Sequence, residues 1–183
     1  MGRCKPLLPL GDVPAVVRCI RALREAGIEQ VTVVVAAPDG EAVAATVAPL
    51  GVTVVRNRDP ESDMAGSVRS GLVAIDPSTR AVMICLADHP LVAPKTIRTI
   101  CAAYYADPGR IVIPVHAGRK GHPTLFPRPV IEELSGLSTL RDVVGRDAGR
   151  VRLLDVPDAG VILDMDTPAD YERLKEMHAA SLV

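Results

Sequence analysis

Short apolar runs alternate along this chain with stretches whose apolar positions recur every three or four residues. Residues 31–35 (VTVVV), 52–55, 81–86 (AVMICL) and 110–114 (RIVIP) have the length and β-branched content of buried strands. Between them lie helical patterns. Val16, Val17, Ile20 and Leu23 repeat at helical spacing up to Gly27, which offers a left-handed stop. Pro38-Asp39-Gly40 turns the chain into a second helix over 41–50, and Val68, Leu72 and Ile75 define one face of a third beginning near Ala65. A fourth spans 94–105, opened by Pro94. Strands separated by helices require crossover connections, so the pattern predicts an α/β fold with a mostly parallel sheet and helices on both faces.

The pattern changes after residue 114. Residues 116–121 (HAGRKG) read as a basic, glycine-containing loop, and 122–126 (HPTLF) as a short strand pairing nearby as an antiparallel addition. Short helices are predicted over 127–134 and 139–145, and closing strands over 151–156 and 160–163. Thr167-Pro168-Ala169-Asp170 opens a last helix with a capping hydroxyl, a first-turn proline and an acid at the third position. No repeat, linker or low-complexity segment divides the chain, so residues 1–183 are expected to form a single domain.

Composition narrows the function classes. With 48% hydrophobic and 23% charged residues the chain can bury a sizeable core, and its formal charge of −1 creates no field favouring nucleic acid or membrane. Aromatics are only 2% with no Trp, which leaves little for bases to stack on. Of four cysteines, Cys19, Cys85 and Cys101 fall in apolar patterns and none form a CxxC pair, pointing to reduced thiols in a cytoplasm. No spanning segment or lipid anchor is predicted.

Three segments could carry chemistry. Asp88 follows the 81–86 strand, and ligands of open α/β sheets bind beyond the carboxyl ends of strands. It reads either as a metal-binding carboxylate facing the crevice or as a turn or helix-capping aspartate before Pro94. Arg3 and Lys5 precede the first helix, where a lysine beside flexible backbone is suited to polyphosphate, although exposed terminal lysines are mostly just solvated. Asp164 and Asp166 have i, i+2 spacing at a predicted strand end. Two such carboxylates suit a hard cation such as Mg²⁺, although Asp166 could instead only favour the positive end of the following helix.

Four ordered blocks, GRCKPLLPL, DMAGSVRSGL (63–72), LADHPLV (86–92) and GRKGHPTLF (118–126) followed by LDMDTPADY, resemble the nucleotidyltransferases of the molybdenum cofactor cytidylyltransferase type. The resemblance covers nearly the whole chain and extends to the guanylyltransferases of the same cofactor pathway. It implies a three-layer α/β/α Rossmann-like fold and Mg²⁺-dependent transfer of a nucleoside monophosphate, CMP from CTP, to molybdopterin with release of pyrophosphate. Carried over by motif, Lys5 and Arg3 would hold the triphosphate and Asp88 would bind Mg²⁺ with Asp164 or Asp166. Lys5 and Asp88 thus become the catalytic pair, Ser67 would line the nucleotide pocket, and His122 in the Gly121-His122-Pro123 turn would lie by the acceptor.

Members of that family usually begin with a strand and a loop of the type Leu-Ala-Ala-Gly-x-Ser-x-Arg, of which only Met1-Gly2 matches the end. A sheet without that first strand and most of its glycine-rich loop would leave backbone groups unpaired, so the slot must be filled or the fold rearranged. Asp63 stands where the family commonly has glycine, placing a negative charge beside the expected triphosphate. Base selection between CTP and GTP is not legible, because the segment that would select it does not match. Two other readings follow: nucleotidyl transfer to a different phosphorylated small molecule, or a non-catalytic module that binds the pterin cofactor and delivers it to a molybdenum hydroxylase.

Overall fold

The computed structural model describes residues 4–59 and 61–180. Arg3 lies outside the described residues. The chain opens with a 3-10 turn (Lys5–Leu7) and a small hairpin of β1 (Pro9–Leu10) and β2 (Val13–Pro14), followed by α1 (Ala15–Glu25). Then come β3 (Thr32–Ala36), α2 (Gly40–Val47), β4 (Thr53–Asn57), α3 (Met64–Val73), β5 (Ala81–Ile84) and α4 (Pro94–Ala106). Strands β6 (Ile111–His116), β7 (Arg119–Lys120) and β8 (Thr124–Pro127) lead into α5 (Arg128–Glu132), α6 (Leu140–Gly145), β9 (Val151–Asp155) and α7 (Pro168–Ala180). Helix α1 forms where the spacing predicts it, with Val16, Val17, Ile20 and Leu23 buried. It ends as Ile28 donates back to the Leu23 carbonyl around Gly27, whose φ of +90° suits only glycine.

β3 pairs with β4 in parallel, while β5, β8, β6 and β7 form a second, continuous set of strands with β9 on the free side of β6. β8 is antiparallel to both β5 and β6, and β9 is parallel to β6. Strands β5, β6 and β9 therefore run the same way, and the short β7 and β8 are the antiparallel addition. Helices cover both faces in a three-layer α/β/α arrangement. Val82, Ile111, Ile113 and Phe126 pack towards α3, α5 and α6, while Val112 and Leu125, one residue out of phase, pack towards α4. Among the described residues no helix is long and apolar enough to cross a membrane.

Two expectations are corrected. Residues 160–163 are not a closing strand: the chain winds into a 3-10 turn (Ala159–Ile162), because the Asp158 side chain accepts from Gly160 N at 2.9 Å. The basic stretch 116–121 is not an open loop but a tight hairpin, in which His116 pairs with Arg119 around Ala117 and Gly118 at φ of 48° and 75°.

The facing edges of β3 and β5 pair with no other strand among the described residues. A slot of about 1120 Å³ runs between them, floored by α1 residues such as Ile20 and roofed by α3 residues such as Val68 and Leu72. The expected gap in the sheet is thus an open slot, and its two lips retain their strand geometry.

Candidate functional site at the carboxyl end of the slot

The amino-terminal segment enters at the carboxyl ends of β3 and β5. Cys4 lies beside Asp39, just beyond β3, and burial, with Asp39 adding to it, raises its thiol pKa. The neighbouring Lys5 faces the other lip. Its Nζ donates to Asp166 Oδ1 at 2.8 Å, and Asp166, with Asp88 and Asp164 behind it, raises the ammonium's pKa. Three of the predicted carboxylates therefore act on one cation, whose side chain is about one-third exposed and open to a ligand.

Asp88 sits in the turn after β5. It caps no helix, because the amino end of α4 is served by Asp158, whose Oδ2 accepts from Ala93 N at 2.9 Å and from Thr96 Oγ1 at 2.7 Å. Asp88 Oδ1 is buried without a hydrogen-bond partner. A carboxylate kept in this state is costly unless something binds it, which favours the ligand reading over the capping one. Asp166 likewise caps nothing: α7 is opened by Thr167 and Asp170, which exchange hydrogen bonds as a capping box. Among the described residues no three His, Cys, Asp or Glu side chains converge closely enough to hold a metal by themselves. That donor set fits an ion such as Mg²⁺, which takes one or two carboxylates and fills its other positions with water and phosphate oxygens.

The remaining predicted residues are distributed around this point. Ser67, in the first part of α3, lines the slot and accepts from Asn57 Nδ2 at 3.2 Å. Asp63 is the amino cap of α3, its Oδ1 accepting from Gly66 N at 2.8 Å, so its charge serves its own helix. His122 lies behind Asp88, with its ring edge-on to His89 at 5.5 Å between centroids. Burial and the neighbouring His89 push its pKa down, against the Ile84 carbonyl and Asp88, so it is neutral near pH 7. Gly121 fixes this turn: its N–H donates to the Pro114 carbonyl at 2.9 Å, and any Cβ there would run into the Val161 carbonyl.

Asp158 went unnoticed in the sequence. It pins the Asp88 loop from the far side of the chain, and Gly160 lets the two segments touch, since a Cβ there would strike the Leu91 carbonyl. The Asp-Ala-Gly run is a legible Asx-turn signal, but its long-range partners are not.

The Lys5 cation and the Asp88, Asp164 and Asp166 carboxylates gather beyond strand ends, where ligands bind in open α/β folds, and this defines the chain as an α/β protein with a candidate ligand crevice at that edge. The family model described as MobA-like NTP transferase domain matches residues 1–155, and the chain belongs to that family. Rv0371c from Mycobacterium tuberculosis H37Rv is 35% identical with a TM-score of 0.83, over 96% of this chain and 90% of that one. Its manganese complex gives 35% and 0.80, over 96% and 93% of the two chains. A nucleotidyl transferase from Methanothermobacter thermautotroptrophicus shares the fold at 22% identity and a TM-score of 0.84, over 97% and 86%. Among curated proteins, the 3-deoxy-manno-octulosonate cytidylyltransferase of Xanthobacter autotrophicus (strain ATCC BAA-1158 / Py2) is 35% identical over 54% of this chain, a match spanning only 38% of that protein.

Proposed function

We propose that this protein is a metal-dependent nucleotidyltransferase that moves CMP from CTP to a molybdopterin-type acceptor and releases pyrophosphate. The observation that carries the reading is the Lys5 ammonium held 2.8 Å from Asp166 in the joint field of Asp88 and Asp164, beside an unpartnered Asp88 oxygen. Family membership supports nucleotidyl transfer, and the cytidylyltransferase relatives support CTP as donor. The manganese in the Rv0371c structure supports a divalent ion, here taken to be Mg²⁺ held by Asp88 with Asp164 or Asp166.

When bound, such an ion supplies charge stabilisation at the α-phosphate and on the leaving pyrophosphate. Lys5, with Arg3 assigned to the same role by the resemblance, meets the triphosphate oxygens as a compact positive charge and exchanges Asp166 for them. Ser67 lines the nucleotide side and the Gly121-His122-Pro123 turn the acceptor side. An acceptor phosphate oxygen attacks the α-phosphorus in line as the bond to the β-phosphate oxygen breaks. The attacking group has a second pKa of about 6 by analogy with phosphorylated side chains, so no protein base is needed and positioning does the rest.

Three reduced cysteines in the slot wall suit a cytoplasmic setting, and delivery of the product to a molybdenum hydroxylase completes the assignment.

Pyrophosphate release, measured with Mg²⁺ or Mn²⁺, CTP or GTP, and molybdopterin, tests this directly. Asp88→Asn is expected to lower kcat by about 10³-fold or more, as loss of transition-state charge stabilisation does. Full turnover in that variant removes the metal assignment. The octulosonate-specific relatives favour one second reading, a sugar-acid acceptor, and a panel of acceptors separates the two by kcat/KM.

A further inference from the structure

Asn57, the last residue of β4, has no part in the reaction as drawn, yet it is the hub of a polar network at the carboxyl edge of the sheet. Its Oδ1 accepts from the Asp59 backbone N–H at 3.2 Å, which fixes the orientation of the amide, because a backbone N–H can only donate. Both hydrogens of Nδ2 are then committed, one to Ser62 Oγ at 2.7 Å and the other to Ser67 Oγ at 3.2 Å. Gly66 makes room for this arrangement, since a Cβ there would run into Ser62 Oγ.

The direction of these bonds decides what the two hydroxyls can offer a ligand. An amide NH₂ only donates, so each serine oxygen accepts and each hydroxyl hydrogen must go elsewhere. Ser62 gives its hydrogen to the Asp63 carbonyl at 3.4 Å. A serine in a helix commonly returns its hydrogen to the carbonyl four residues back, which for Ser67 is that same Asp63 carbonyl. That oxygen already receives the Ser67 N–H and the Ser62 hydroxyl. Among the described residues the Ser67 hydroxyl accordingly donates to no protein atom. Ser67 is half-buried and lines the slot beside Val68, so it presents an oriented O–H donor to that space.

The layout of the sheet says which part of a ligand meets this donor. The phosphates are assigned to the Asp88 turn beyond β5, whereas Asn57 ends β4, which β3 and the slot separate from β5. Two strand spacings or more, about 10 Å, divide the two places. A nucleotide held by its phosphates at one of them reaches the other with its far end, the base. We propose that Asn57 is a positioning residue for base recognition, holding the Ser67 oxygen as an acceptor and so turning its hydrogen toward a carbonyl oxygen or unprotonated ring nitrogen of the nucleobase. Cytosine offers such acceptors at O2 and N3. A hydroxyl free to rotate serves donors and acceptors alike, and the amide removes that indifference. The inference rests on the nucleotidyltransferase reading, in which Ser67 lines the nucleotide side.

Competition titrations in the presence of Mn²⁺, with CTP and with ribose 5-triphosphate, the same ligand without its base, decide it. The quantity read is the preference for CTP over ribose 5-triphosphate, in which a general change in triphosphate binding or in folding cancels. Ser67→Ala is expected to lower that preference about fivefold, as loss of one neutral hydrogen bond does. Asn57→Asp keeps the shape and reverses the polarity: its carboxylate draws the Ser67 hydrogen inward and leaves a lone pair facing the base, so a loss of about tenfold or more is expected. In the Ser67→Ala background the same substitution should add less than about twofold. Asn57→Ala, which leaves the hydroxyl free to turn, should fall between the parent and Ser67→Ala, and it carries the test if Asn57→Asp does not fold. A parent that binds the two ligands equally, or a preference unchanged in Ser67→Ala and the Asn57 variants, overturns the inference and leaves the nucleotidyltransferase reading standing. An undiminished effect of Asn57→Asp in the Ser67→Ala background overturns the action of Asn57 through Ser67. If the parent binds neither ligand, the nucleotidyltransferase reading itself has failed, and the inference with it.

Discussion

Strands β3 and β6 are written in nearly the same alphabet, TVVVA and IVIPVH, yet the fold treats them differently. Ile111 to Val115 are all buried, whereas in β3 only Val35 is. The difference lies in their neighbours. β6 has β8 on one edge and β9 on the other, with helices on both faces, while β3 has β4 on one edge and the slot on the other. An apolar run states that a strand belongs inside a sheet, but only the adjacent strands complete its burial. The carboxyl-terminal half of this sheet is a closed core and the amino-terminal half an open one. The proposed nucleotide site lies on the seam between them.

Truncations should separate the halves most clearly. Phe126 is 2% exposed at the centre of the closed half, so Phe126→Ala is expected to cost about 3–5 kcal/mol in urea unfolding. Val33 is half-buried on a lip of the slot. At about 0.8 kcal/mol per fully buried methylene, Val33→Ala should cost about 1 kcal/mol or less. Equal losses at the two positions would mean the slot is closed in solution.

The sequence carried the regular elements well and the connections poorly. The strands later named β3 to β6 were legible as apolar runs, and α1, α4 and α7 from helical spacing and capping residues, because those signals are local. Residues 160–163 looked like strand because VIL is apolar, but a side chain two residues before Gly160 wound them into a turn. Among the site residues, Asp88 was legible as a carboxylate after a strand. That Asp158 and not Asp88 would serve the amino end of α4 depends on a contact across 65 residues, which no local pattern encodes. The pairing of Lys5 with Asp166, 161 residues apart, is of the same kind.

Glycine substitutions give a second, smaller contrast. Alanine at Gly121 would drive its Cβ into the Val161 carbonyl, a backbone atom fixed on both sides, since His122 N also donates to that oxygen at 2.8 Å. Alanine at Gly71 would meet only a methyl of Val34, at 2.9 Å, on a side chain that borders the slot and has room to turn. Gly121→Ala is therefore expected to destabilise by about 1–3 kcal/mol, the range for overpacking, and to lower turnover by moving the His122 turn. Gly71→Ala should leave unfolding within about 1 kcal/mol of the parent, with its helix propensity offsetting part of the strain. A reversed order would place the rigid half on the wrong side of the slot.

The smallest effect concerns the clamp that ties the last helix to the open half. His178 on α7 lies 3.2 Å from Arg18 on α1, and Tyr171 of the same helix donates to the Pro9 carbonyl. Burial, and then the Arg18 charge, hold His178 below the ordinary histidine pKa, against a weaker opposing pull from Asp12. Its folded pKa lies below its unfolded one, so on acidification the unfolded chain takes the proton first. Above about pH 6.5 neither state is protonated and the site carries no penalty. As the pH falls from there towards the depressed folded value, stability should decline, and His122, displaced in the same direction, adds to the slope. His178→Gln is expected to flatten the dependence of unfolding free energy between pH 7.5 and 5.5 only in part, because His122 remains. Since protonation sets two cations against each other where α7 meets α1, slot-lining amides near Ile20 should lose hydrogen-exchange protection before those near Phe126. Uniform loss of protection across both halves would show that α7 clamps the whole sheet and not its open side.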